Sequence, residues 1–121
     1  MSKKILVVED DRDILISITE LLTMEGYEVL QANSGLAAIN LLKELQDMPD
    51  LIILDLMMPG MNGEGFRTEQ LKNEKFAAIP VLLMTADAHP DSVQLKIGAK
   101  GFIKKPLNID KFLETIDICV N

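Results

Sequence analysis

The chain has 121 residues, 48% hydrophobic and 26% charged, a size and balance that suit one globular domain and exclude extended disorder. Its longest apolar runs, such as Leu51 to Leu54, are too short to span a bilayer, and Met1-Ser2-Lys3-Lys4 lacks the features of a signal peptide, so a cytoplasmic location is expected. A net charge of −7 argues against a general nucleic-acid binder and against attraction to an anionic membrane, which leaves proteins as the expected partners.

In chain order, Lys4 to Val8 reads as a buried strand. Ile14, Leu15, Ile18, Leu21 and Leu22 then recur at helical spacing, and Gly26 supplies the stop. Glu28 to Ala32 is a second strand. Ser34 is placed to cap a helix whose apolar face is Ala38, Ile39, Leu42 and Leu45. Asp50 to Leu56 is a third, almost wholly apolar strand, followed by a loop of Pro59, Gly60, Asn62 and Gly63. The next helix, Glu64 to Asn73, is weakly marked: Gly65 lowers its propensity, and Phe66 and Leu71 are its sparse apolar positions. Pro80 to Thr85 is a fourth strand, and a short helix around Pro90 to Ile97 leads through Gly98 to a fifth, Gly101 to Lys104. Asn108 caps a last helix with Ile109, Phe112, Leu113, Ile116 and Cys119 or Val120 on one face. Cys119 is the sole cysteine and reads as a small apolar core residue.

This alternation is βα repeated five times, with strands 1, 3 and 4 apolar on both faces. Such strands belong in a parallel sheet covered by helices on each side, so a three-layer, doubly wound α/β domain covering residues 1–121 is expected.

In an open parallel sheet, ligands bind at the carboxyl ends of the strands. The first strand ends in Glu9, Asp10 and Asp11, the third in Asp55, the fourth in Thr85, and the fifth in Lys104 and Lys105. Carboxylates brought together repel one another and require protons or a cation. Oxygen-only donors with room for water suit Mg²⁺. A hydroxyl and an ammonium beside them suit phosphoryl oxygens, and a carboxylate can itself be the nucleophile, giving an aspartyl phosphate. Asp55 stands alone after four aliphatic residues and is the best candidate. Singly, each residue has a plainer explanation: Asp10, Asp11 or Asp13 as a helix cap, Asp55 as a turn former, Lys104 and Lys105 as a solvated pair.

The segments Ile5-Leu-Val-Val-Glu-Asp-Asp11, Asp50-Leu-Ile-Ile-Leu-Asp-Leu-Met-Met-Pro-Gly60, Val81-Leu-Leu-Met-Thr-Ala86 and Gly101-Phe-Ile-Lys-Lys-Pro106 together resemble the CheY-like receiver domain of two-component response regulators, from about Lys3 to Val120. The resemblance implies a five-stranded flavodoxin-like sheet of order 2-1-3-4-5. It also implies Asp55 as phosphoacceptor and Mg²⁺ held by Asp10, Asp55 and the backbone carbonyl of Met57, with Glu9 acting indirectly. Thr85 and Lys105 would contact the phosphoryl group, Lys105–Pro106 would be a cis peptide, and Thr85 with Phe102 would form the switch. Because Phe102 has no hydroxyl, a switch that relies on a tyrosine hydrogen bond is excluded.

The implied function is a phosphorelay module rather than a turnover enzyme on a separate substrate. Its phosphodonor would be a sensor histidine kinase or histidine phosphotransfer protein, and its output a downstream protein target or effector domain read around strand 5. Leu95 and Ile118 fall off the core stripes and are candidates for a partner surface or a homodimer formed on phosphorylation. In the family, positions matching Met57 and Asp87 tune phosphoryl lifetime, and His89 reads as a surface-loop residue. The competing class is a haloacid-dehalogenase-type phosphatase, which places a second acid where Met57 stands here. An FMN-binding flavodoxin is disfavoured because Glu9-Asp10-Asp11 would repel its phosphate, and a purely binding pseudo-receiver because every required position is filled.

Overall fold

The computed structural model describes residues 3–58, 60–86 and 97–120. The strands are β1 (Lys4–Val8), β2 (Glu28–Ala32), β3 (Leu51–Asp55), β4 (Val81–Thr85) and β5 (Gly101–Lys104). The described helices are α1 (Arg12–Met24), α2 (Gly35–Glu44), α3 (Gly63–Leu71) and α4 (Ile109–Val120). The helix expected around Pro90 to Ile97, together with Asp87, His89 and Leu95, lies outside the described residues, Ile97 itself excepted. No helix among the described residues is long and apolar enough to cross a membrane.

All strand pairs are parallel and the sheet order is β2-β1-β3-β4-β5. Alternation along the strands divides the core into two layers. Ile5, Val7, Leu51, Ile53, Leu82, Met84 and Ile103 face Leu15, Ile18 and Leu22 of α1 and Phe112, Ile116 and Cys119 of α4. The intervening Leu6, Val8, Ile52, Leu54, Val81 and Leu83 face Ala38, Ile39 and Leu42 of α2 and Phe66 of α3. β3 and β4 are buried along their whole length, whereas the edge strands β2 and β5 are only partly covered. That contrast is why the central strands read as continuous aliphatic runs.

Helix starts follow local chemistry. Asp11, Ser34, Asn62 and Asn108 each accept from the backbone N–H three residues on, at 2.9–3.1 Å, which satisfies a donor that the helix leaves open. Gly26 takes φ +92° after α1, a left-handed conformation that glycine adopts without a Cβ clash. Two residues depart from the sequence expectation: Leu71 is 54% exposed and Ile109 58% exposed. Phe76, in the turn after α3, is buried in the core. The inward face of α3 is completed by Gln70, a buried polar residue that hydrophobic periodicity does not count.

Candidate functional site

Strand alternation decides which side chains meet. Val7, Ile53 and Ile103 share the α1/α4 face of the sheet, and two residues further along their chains stand Glu9, Asp55 and Lys105. All three therefore leave the carboxyl edge on the same side, from adjoining strands β1 and β3 and from β5. Asp10, one residue after Glu9, falls on the opposite phase and is exposed.

Glu9 is fully buried, and Asp55 is 2% exposed. Lys105 Nζ lies 3.2 Å from Glu9 Oε1 and 3.3 Å from Asp55 Oδ2. The other oxygens accept backbone donors: Asp11 N–H to Glu9 Oε2 at 3.3 Å and Met57 N–H to Asp55 Oδ1 at 3.2 Å. One ammonium thus serves two buried carboxylates. Glu9, Asp10 and Asp55 each offer an oxygen, and these oxygens lie within 4.8 Å of one another. The pocket has the composition of a divalent-cation site: oxygen donors only, excess negative charge, and an exposed member open to water.

The electrostatics carry the same imbalance. Burial, then the hydrogen bond and charge of Asp55, push the Glu9 carboxyl from an ordinary 4.5 up to about 7, against smaller opposing effects of the Asp11 amide and Lys105. For Lys105, burial alone would lower the ammonium pKa; the charges and hydrogen bonds of Asp55 and Glu9 outweigh it, and the net direction is upward. Raising both an acid and its cationic neighbour is what shared negative charge in a desolvated pocket does.

Thr85, fully buried, ends β4, and its carbonyl accepts the Lys105 N–H at 2.9 Å, extending the β4–β5 ladder into the site. The register pairs Thr85 with Lys104 and Leu83 with Phe102. Phe102 is half-buried against the α2/α3 layer and lies on the same sheet face as Thr85, two pairs back. The Lys105–Pro106 peptide bond is cis. Met57 is 72% exposed beside the pocket. Ile118 is exposed on α4, and Cys119 is buried. Asp11 is held as the α1 cap, with Oδ1 accepting from Ile14 N–H at 3.1 Å.

Two residues that order the surroundings carry no sequence motif. Gly63 approaches β3 so closely that a Cβ there would lie 2.9 Å from Leu56 Cα, and its N–H donates to Leu56 O at 3.0 Å. Gln70 ties α3 to the turn before β4. Its position four residues after the buried Phe66, on the inward face of α3, is the one local signal for it.

Residues 5–117 match the family described as response regulator receiver domain. The chain is similar to Sporulation initiation phosphotransferase F of Bacillus subtilis, at 36% identity covering 96% of this chain and 92% of the relative. It is also similar to Protein PilH of Pseudomonas aeruginosa, at 33% identity covering 94% of each. Among solved structures, the chemotaxis response regulator CheY4 of Vibrio cholerae superposes with a TM-score of 0.89 at 29% identity, covering 98% of this chain and 99% of that one. The chain belongs to the response-regulator receiver family of two-component signal transduction.

Proposed function

We propose that residues 1–121 form one phosphoacceptor domain in which Asp55 is modified in the presence of Mg²⁺. The observation that carries this reading is the sharing of Lys105 by two buried carboxylates, Glu9 and Asp55, beside the exposed Asp10. Asp10, Asp55 and the backbone carbonyl of Met57 would hold the cation, with Glu9 acting on it indirectly. When bound, Mg²⁺ supplies positive charge that offsets the carboxylates and the incoming phosphoryl oxygens.

The chain's own residues then have separable tasks. Asp55 forms a bond to phosphorus as the bond from phosphorus to the donor's leaving atom breaks. Lys105, already paired with Asp55, is placed to balance the negative charge of the phosphoryl group. Thr85 offers a hydroxyl to a phosphoryl oxygen. Its movement would vacate space that Phe102 turns to fill, coupling local charge to a packing change on the β5 surface.

The phosphodonor is a sensor histidine kinase or a histidine phosphotransfer protein, and the output is a change in protein binding around β5 and its flanking helices. The Bacillus relative, named a phosphotransferase, supports phosphoryl traffic through such a site. Homodimerisation on phosphorylation, through a surface that includes Ile118, belongs to the same proposal. The protein acts in the cytoplasm and promotes its own modification; it does not turn over a separate substrate. The test is uptake of one phosphoryl group from acetyl phosphate, dependent on Mg²⁺ and lost in Asp55→Ala.

A further inference from the structure

A polar network at the opposite end of α3 plays no part in the chemistry of the acidic pocket. Gln70 donates to Phe76 O and Ile79 O at 3.0 Å each, and its Oε1 accepts from Arg67 Nη1 at 2.8 Å. Arg67 turns its remaining nitrogens onto two successive carbonyls: Nε to Ile97 O at 2.8 Å and Nη2 to Gly98 O at 3.2 Å. Burial lowers the pKa of this guanidinium, and no carboxylate pairs with it among the described residues. Its described partners are two backbone carbonyls and the Gln70 side chain.

Those carbonyls sit at a sensitive place. Gly98 adopts φ +70°, and β5 begins at Gly101. β5 is a four-residue edge strand, held in the sheet on one side only, by β4. Short edge strands have the fewest ladder bonds to fix their register, and a slip of one residue turns every side chain to the other face. For β5 such a slip would carry Lys105 off the face that it shares with Glu9 and Asp55. The rigid fork of a guanidinium spans two neighbouring carbonyls, which a single ammonium does less well. Gln70, anchored on the turn before β4, holds the fork in place.

We propose that Arg67, braced by Gln70, is a positioning residue for the acidic pocket: by fixing the lead-in to β5 it keeps that strand in register and Lys105 against Asp55 and Glu9. Only the kinetic part of its test rests on the phosphoacceptor reading.

The experiment compares wild type, Arg67→Leu and Arg67→Lys by amide hydrogen exchange and by the initial rate of phosphorylation from acetyl phosphate with Mg²⁺. In Arg67→Leu, amides of β5 should exchange about tenfold faster relative to those of β1, reporting local opening rather than global loss of stability. The phosphorylation rate should fall about threefold or more, the loss expected when a charge-balancing group is misplaced. Arg67→Lys, which keeps the charge and one donor group, should lie between and covers the case in which the leucine variant does not fold. Unchanged β5 exchange would overturn the proposal, as would faster exchange with an unchanged phosphorylation rate. If wild type takes up no phosphoryl group, the phosphoacceptor reading fails, while β5 exchange still decides whether Arg67 holds the strand.

Discussion

Lys105 and Glu9, 96 positions apart in the chain, meet at 3.2 Å inside the pocket, where Glu9 is fully buried. The pairing links the end of β1 to the end of β5 across β3 and β4, and it leaves Asp55 sharing the same ammonium. The lysine therefore has a structural role, as the shared cation of both carboxylates.

Removing it should expose that role. Lys105→Met keeps the aliphatic length and deletes the charge, leaving Glu9 and Asp55 together without a cation. At neutral pH and without Mg²⁺, stability should fall by roughly 1.5–3 kcal/mol, the range for hydrogen bonds to charged groups. Denaturant unfolding of both proteins checks this, and an equally stable variant would show that the carboxylates find other relief.

Glu9 should make stability depend on pH in a defined direction. Its folded-state pKa of about 7 lies above the ordinary 4.5, so between those values the native state binds more protons than the unfolded one. Its contribution is fully present below about 4.5 and is lost as pH rises through about 7. Glu9→Gln, a fixed mimic of the protonated form, should therefore gain stability relative to wild type across that window, on the order of 1–3 kcal/mol, in metal-free buffer. A parallel pH dependence in the two proteins would contradict it.

Asp10 and Asp11 are neighbours with different work. Asp11 caps α1 through Ile14 N–H, so Asp11→Ala should lower stability by about 1 kcal/mol and leave Mg²⁺-dependent stabilisation intact. Asp10 belongs to the oxygen cluster, so Asp10→Asn should change metal-free stability little and remove most of the shift in melting temperature produced by Mg²⁺. Melting curves with and without the metal separate the two.

The glycines at the start of α3 give opposite expectations. A Cβ on Gly63 would meet Leu56 Cα at 2.9 Å, where backbone cannot readily yield. Gly63→Ala should be destabilising by about 1–3 kcal/mol, the usual cost of overpacking. At Gly65 the nearest atom is Met61 Cγ at 3.3 Å, on a flexible side chain. There alanine should gain up to about 0.5–1 kcal/mol of helix propensity. Thermal unfolding of both variants reads the difference in sign.

Much of this molecule is legible in its sequence because the relevant signals are local. The aliphatic runs of β1, β3 and β4 announce a covered parallel sheet, and their carboxyl ends name Glu9, Asp10, Asp55 and Thr85. The folded sheet then shows why Glu9, Asp55 and Lys105 converge: each stands two residues beyond a core position on the same face. What stays hidden depends on contacts between distant segments. Gln70 and Arg67 stabilise α3 through backbone carbonyls outside the helix, so α3 looks weak by periodicity although its inward face is filled. Phe76 is a core residue in a turn, where no period applies. The complete burial of Glu9, next to exposed Asp10, has no counterpart in composition, and its partner Lys105 comes from the far end of the chain.

If Asp55 accepts phosphorus in a pocket completed by Lys105 and a divalent cation, peptide-mapped mass spectrometry after incubation with acetyl phosphate will locate the group. Wild type should gain one phosphoryl group, located at Asp55, requiring Mg²⁺ and absent from Asp55→Ala. A phosphoryl group on another residue, or uptake that persists in Asp55→Ala or in the presence of a chelator, would contradict it.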